Sequence, residues 1–408
     1  MKKTISLLIL QAAFAAGAAP MATISTSTFA DGKLTVSYTL TDGPAVVTFD
    51  VETNATGDVW ASIGGKSVVE GIVSGNDALW RKVTETGPFT VSWRPDGWKG
   101  TSGKIRAVVR AWPLDNPPDY LVADLSAQAA ANSQRYYPGA EFVPGGVLGN
   151  VRYRQTALLM RKVMAKGVTW TKGSDASTTY VTLDDNYYMC VFEVTKAQWA
   201  LMMGGKYPAE SASHSGSYGF NNAVYREMRP MELASYNEIR TSGVRTTYNA
   251  ANDAPPSAPH GDSFLGKVRN RTGIDFDLPS VNQWEYACRA GHGEGYWGDG
   301  TPDTAAPPGR YNGNGGSTSD FNCSTNHGTA VCGSYPPNSW GIYDMHGNVY
   351  EFCTDTYSAS TTNPSKYKLG GSWTHNATAA KASGSNKETA STQWHANGFR
   401  VMCPVAVP

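Results

Sequence analysis

Net charge of either sign is missing from this sequence. Lys+Arg and Asp+Glu both number 34 in 408 residues, and no basic run breaks the balance. That excludes an electrostatic stripe for nucleic acid and a polybasic patch for anionic lipid. Beyond the N-terminal segment, no apolar run is long enough to cross a bilayer, so membrane insertion is not expected. Cysteine is absent from the first 189 positions and then appears six times, at Cys190, Cys288, Cys323, Cys332, Cys353 and Cys403. No Cys-x-x-Cys and no clustered Cys/His set occurs, which argues against a zinc site. The seven histidines contain no His-x3-His and no His-Glu-x-x-His, and neither Gly-x-Ser-x-Gly nor a P-loop is present. Metalloprotease, serine-hydrolase and nucleotide-triphosphatase chemistry therefore have no motif to rest on.

What is present begins with Met1-Lys2-Lys3, an apolar run from Ile5 to Ala16, and small residues ending in an Ala-x-Ala pattern. This is the order of a secretory signal peptide over 1–18, so the chain is expected in the cell envelope or outside the cell. The remaining residues, about 390, suffice for two domains with proper cores. An even cysteine number in an exported chain permits three disulfides, with 15 possible pairings. Twelve Trp, 21 Tyr and 43 Gly point to loop-rich architecture with aromatic-lined surfaces.

Residues 23–125 read as all-β. Leu34, Val36, Tyr38 and Leu40 alternate with Thr35, Ser37 and Thr39. The same period recurs at Val47/Phe49/Val51, Phe89/Val91/Trp93 and Ile105/Ala107/Val109. Strands with one buried face require that period, and an immunoglobulin-like sandwich is the expected sum, with Tyr120 to Leu125 as its last strand. The Ala/Gly/Pro/Gln-rich stretch 126–146 reads as a linker, and the second domain is expected over 136–408. There, Thr195-Lys-Ala-Gln198, Ser235-Tyr-Asn-Glu238 and Ser280-Val-Asn-Gln283 are capping boxes that predict three short helices. Gly291 is expected to stop the third.

Six phrases in the second domain, taken in order, carry a family resemblance. They are Phe192-Glu-Val-Thr-Lys-Ala-Gln-Trp199, Arg229-Pro-Met-Glu-Leu-Ala-Ser-Tyr-Asn237, Leu278-Pro-Ser-Val-Asn-Gln-Trp-Glu-Tyr-Ala-Cys-Arg-Ala-Gly291, Asn338-Ser-Trp-Gly-Ile-Tyr-Asp-Met-His-Gly-Asn-Val-Tyr-Glu-Phe352, Gly370-Gly-Ser-Trp373 and Gly398-Phe-Arg400. Together they resemble the formylglycine-generating enzyme, or sulfatase-modifying factor, superfamily. The resemblance implies a C-type lectin-like variant fold, so the whole chain is expected to be α+β. In that family the Gly-Gly-Ser-Trp/Phe turn is followed two residues later by one copper-binding cysteine and five residues after that by another. Here those positions hold His375 and Ala380. Soft sulfur ligands hold Cu(I), so copper and the formylglycine reaction are not expected.

The same resemblance implies a structural calcium ion held by the side chains of Asp344 and Glu351 and the carbonyls of Gly347 and Val349. Two carboxylates and backbone oxygens on a tight glycine turn suit a hard cation. It also implies a Cys288–Cys403 bridge. Cys323 and Cys332 are near enough in sequence to staple an inserted loop, leaving Cys190 and Cys353 as a third pair. The segment 373–397 is small and polar, and Trp373, His375, Asn376, Trp394 and His395 form a candidate face for a glycan or protein ligand. It also resembles the diversified segment of variable proteins from diversity-generating retroelements. The expected function is noncatalytic ligand binding. The competing readings are a metal-dependent oxidoreductase rebuilt near His375 and a diversified receptor.

Overall fold

The structure is a computed structural model. It describes residues 18–54, 59–94, 105–126, 133–174, 177–205, 227–241, 248, 255, 257–292, 308–314 and 328–405. All but the last residue of the expected signal peptide, and Cys323, lie outside the described residues.

Alternation near the N-terminus builds two sheets. The strand Lys33–Thr41 buries Leu34, Val36, Tyr38 and Leu40 while its threonines and serine stay partly exposed. It lies between Met21–Ala30 and Gly87–Trp93. In the other sheet Ala45–Thr53 pairs with Ile105–Trp112 in a continuous antiparallel register. Val36, Tyr38, Phe49, Val51, Val91 and Trp93 meet in one core, each contributing about 1.5–3 kcal/mol on burial.

Two facing sheets do not by themselves establish an immunoglobulin topology. The strand expected to complete it, Tyr120–Asp124, pairs instead with Arg135–Tyr137 and Ala157–Val163. Its run Tyr120-Leu-Val-Ala123 is buried throughout. Leu121 and Ala123 enter one core and Tyr120 and Val122 another, as a strand covered on both faces requires. Part of the expected linker is sheet as well. The Tyr136 N–H donates to the Trp80 carbonyl at 2.7 Å, and the Tyr137 ring stacks 5.5 Å from Trp80.

The five-stranded sheet runs in the order Arg135–Tyr137, Tyr120–Asp124, Ala157–Val163, Tyr187–Cys190, Met402–Pro404. A four-stranded sheet runs Ser385–Thr389, Ser365–Leu369, Tyr350–Ser358, Asn397–Gly398. In it Tyr350 and Glu351 pair in parallel with Asn397 and Gly398. This last contact brings the two ends of the segment 371–396 to one strand.

All three capping boxes form. Thr195, Ser235 and Ser280 each accept from the third residue's backbone N–H, and Gln198, Glu238 and Gln283 reach back. They start helices Lys196–Met203, Tyr236–Arg240 and Val281–Arg289. The last closes through Ala290 at φ 49°, with Gly291 following at φ 84°. A further helix, Phe264–Thr272, was not anticipated. Ser263 caps it through the Gly266 N–H, and because a glycine cannot reach back, there was no reciprocal box to recognise.

The disulfide expectations fail. Cys190, Cys288, Cys332, Cys353 and Cys403 are all free and buried. Cys403 faces the core that holds Cys190, whereas Cys288 and Cys353 face a different core with Met402. Neighbouring residues of a strand point to opposite faces, so the final strand turns Cys403 away from the helix carrying Cys288. The same division separates Cys190 from Cys353. Cys332 lies instead beside Glu193, its Sγ 3.5 Å from Oε2.

Candidate functional site

The site is built on the Gly370-Gly371 turn. Both glycines have positive φ, 90° and 73°. A Cβ on Gly371 would meet the Ala380 Cα and N at 2.8 Å, so only glycine lets the turn close against Ala380. The Gly347 N–H donates to the Gly370 carbonyl at 2.6 Å, and the Trp373 N–H to the Asn348 carbonyl at 2.9 Å. The Trp373 indole donates to the His395 carbonyl at 3.1 Å. Trp373 is 1% exposed; it supports the face from below rather than forming part of it.

Of the other expected face residues, His375, Trp394 and His395 are half-buried and come together. The His375 ring lies edge-on to Tyr350 at 4.9 Å and to Trp394 at 5.5 Å. His395 is 5.6 Å from Trp394 and 5.4 Å from Trp373. Asn376 is exposed, and its side-chain oxygen caps the short turn Ala377–Ala380 by accepting from the Ala379 N–H. Lys368, missed in the sequence, is the cation beneath. Its ammonium sits 4.4 Å from the Trp394 ring and 4.8 Å from the Tyr350 ring, and donates to Asn397 Oδ1 at 2.8 Å and Glu388 Oε2 at 3.1 Å. Burial lowers the Lys368 pKa, partly offset by Glu388. Burial first and Lys368 second lower that of His375, favouring neutral imidazole.

The donor set does not fit copper. His375 Nδ1 is 2.7 Å from Ser372 Oγ and 3.1 Å from Thr374 Oγ1. Ala380 offers a buried methyl, and its carbonyl lies 2.7 Å from His346 Nδ1. No second soft donor stands where the resemblance places one.

Of the four expected calcium positions, Glu351 is held in an ion pair and Asp344 by a backbone N–H. Both Glu351 oxygens are engaged: Oε2 accepts from Arg400 Nε at 2.8 Å and Trp284 Nε1 at 2.6 Å, and Oε1 from Arg400 Nη2 at 2.7 Å. Arg400 also donates to the carbonyls of Cys190, Val191 and Tyr343. All five of its N–H groups are thereby used inside the protein, and the Glu351 carboxylate raises its already high pKa against the opposing effect of burial. A cation on Glu351 would have to share the carboxylate with this bidentate pair. Asp344 stands apart from that pair, with Oδ2 accepting from the Gly333 N–H at 2.6 Å and Oδ1 buried without a partner.

The turn and its supporting arginine are thus in place while neither expected thiol is. The chain belongs to the sulfatase-modifying factor family: the sulfatase-modifying factor enzyme 1-like domain matches residues 127–404. Among characterised relatives it is 28% identical over 256 residues to the chaperone protein LppX of Paenibacillus barcinonensis, covering 58% of this chain and 86% of that protein. It is 25% identical over 285 residues to the formylglycine-generating enzyme of Mus musculus, covering 60% and 73%. Among solved structures, Treponema denticola variable protein 1 aligns with a TM-score of 0.43 at 19% identity, covering 61% of this chain and 96% of that one. PvdO from Pseudomonas aeruginosa aligns with a TM-score of 0.43 at 18% identity, covering 60% and 94%.

Proposed function

We propose that this chain is a noncatalytic, ligand-binding member of the family, holding a glycan or protein ligand on the face of His375, Asn376, Trp394 and His395. One observation carries the reading. At the two positions where the resemblance places thiols, a histidine is wedged edge-on between Tyr350 and Trp394, and an alanine is buried under the turn. The loop is built to present rings. Half-exposed aromatics offer large, rigid contact area at low entropic cost, and hydroxyls and amides around them supply directional hydrogen bonds. Lys368, fixed beneath Trp394 and Tyr350, holds the ring geometry by cation–π contact. A rebuilt oxidoreductase centre at His375 finds less support, because its Nδ1 is engaged by Ser372 and Thr374.

The test is binding of the full chain to arrays of glycans and of peptides. Trp394→Ala and His395→Ala should each abolish the signal while lowering Tm by no more than about 4 °C. Binding that survives both changes would overturn this reading. So would oxygen uptake by the copper-treated chain that depends on a cysteine-containing sulfatase peptide.

A further inference from the structure

Among the described residues one group has its donor atoms converging as metal ligands do: Glu193, Cys332 and Asp344, each offering an atom within 4.8 Å of the others. We propose that these three residues form a metal site of mixed thiolate and carboxylate character, taking a borderline divalent ion of the zinc class. None of the three belongs to the ligand face, and the proposal does not rest on that reading.

Glu193 and Cys332 are fully buried and Asp344 is 2% exposed. The separation of Cys332 Sγ from Glu193 Oε2 is 3.5 Å. Zinc–sulfur and zinc–oxygen bonds spanning a tetrahedral angle place their donors about 3.5 Å apart. Asp344 Oδ1 is a buried oxygen with no hydrogen-bond partner among the described residues, and such a carboxylate oxygen calls for a ligand. The surrounding groups fix the set. Asn348 Nδ2 donates to Glu193 Oε2 at 2.6 Å, and the Val349 N–H donates to Oε1 at 3.2 Å. The Gly333 N–H holds the other Asp344 oxygen. Asp344 adopts φ 56° and Asn348 φ 62°, conformations that cost about 1–3 kcal/mol in residues other than glycine and gather at functional sites.

Burial opposes charge on all three ligands, although Arg154, which donates to the Cys332 carbonyl at 3.2 Å, and Arg400 both favour the ionised Asp344. Burial, then Asp344 and Glu351, push the Glu193 pKa well above the carboxylate range. Burial raises Asp344 to about 6. Burial, then Glu193 and Asp344, raise the Cys332 thiol. Arg400, the cation that faces Glu193, is already bidentate with Glu351. Binding a divalent ion requires Cys332 as thiolate, its proton leaving to solvent. The donor mixture sets the class of ion. A thiolate is a poor ligand for calcium or magnesium, and two carboxylates are poor ligands for Cu(I). Such an ion would fasten three segments of irregular backbone that no disulfide joins.

The experiment uses the full chain, stripped with chelator, kept reduced and incubated at length with Co(II). One equivalent should bind with a thiolate-to-cobalt charge-transfer band, be displaced by Zn(II), and raise Tm. Cys332→Val should abolish the band and weaken cobalt binding by at least about tenfold, and Asp344→Asn should weaken it comparably. Cys288→Val, which alters a buried thiol near His346, should leave band and affinity unchanged. Circular dichroism of the metal-free variants checks that they fold. Failure of the stripped wild type to bind cobalt or zinc would overturn the proposal. So would a band retained in Cys332→Val, or stabilisation by calcium that Cys332→Val leaves intact. None of these results bears on the glycan and peptide arrays.

Discussion

Below the Gly370-Gly371 turn and above it, the same few residues of chain meet two different kinds of environment. Below, Arg400 places every N–H on a fixed acceptor, and Glu351 receives three hydrogen bonds from Arg400 and Trp284. Above, residues 374–397 are small and polar, and several of their hydrogen bonds reach only a few positions along the chain, as Ser372 with His375 and Asn376 with Ala379 do. The lower region constrains its residue types because a buried charge must keep its partner. The upper region mixes buried small residues, Ala380, Ala382, Ala390 and Ala396, with exposed and half-buried polar ones.

The sharpest way to break that contrast is to remove the buried cation. Arg400→Leu leaves the buried Glu351 without its guanidinium partner, so it should cost about 3–5 kcal/mol in urea unfolding. The double change Arg400→Leu with Glu351→Leu should recover part of that loss; no recovery would mean that Arg400 acts through the carbonyls alone. Gly371→Ala probes the seam between the regions. Positive φ and the 2.8 Å approach to Ala380 should make it cost about 1–3 kcal/mol, whereas an effect near zero would show that the turn relaxes. The smallest expected effect belongs to the upper region and to pH. His375 has its folded pKa lowered from 6.5 by burial and Lys368. The unfolded chain then binds more protons as pH falls below about 6.5, and stability declines in that direction. His375→Gln should flatten this part of the stability–pH curve, and an unchanged slope would assign it to another group.

How much of this was readable beforehand depended on range. Capping boxes join residues three apart, and all three formed as read. Period-two burial in Lys33–Thr41 was equally local. Tyr120–Asp124 was misplaced because a fully apolar run does not say which sheets cover its two faces. The Cys288–Cys403 bridge came from resemblance, and strand alternation turned Cys403 into the other core. His375, Trp394 and His395 were foreseen as neighbours, but the buried Lys368 beneath them had no local signature. The Glu193–Cys332–Asp344 group was invisible for the same reason. Glu193 is 139 positions from Cys332, and no spacing rule for metal ligands reaches that far.

The parallel pairing of Tyr350–Glu351 with Asn397–Gly398 has a practical corollary. Leu369 and Gly398 flank Glu351 on its two sides, so the segment leaving at Gly370 returns two strand spacings away, about 10 Å. Both of its anchors are stapled to the same rung of the sheet. Closing such a span costs only about 0.6 kcal/mol more for each doubling of length. The stretch between Trp373 and Ala396 is tied in its middle as well, because Ser385–Thr389 pairs with Ser365–Leu369, so a change of length is expected to be tolerated only between these attachments.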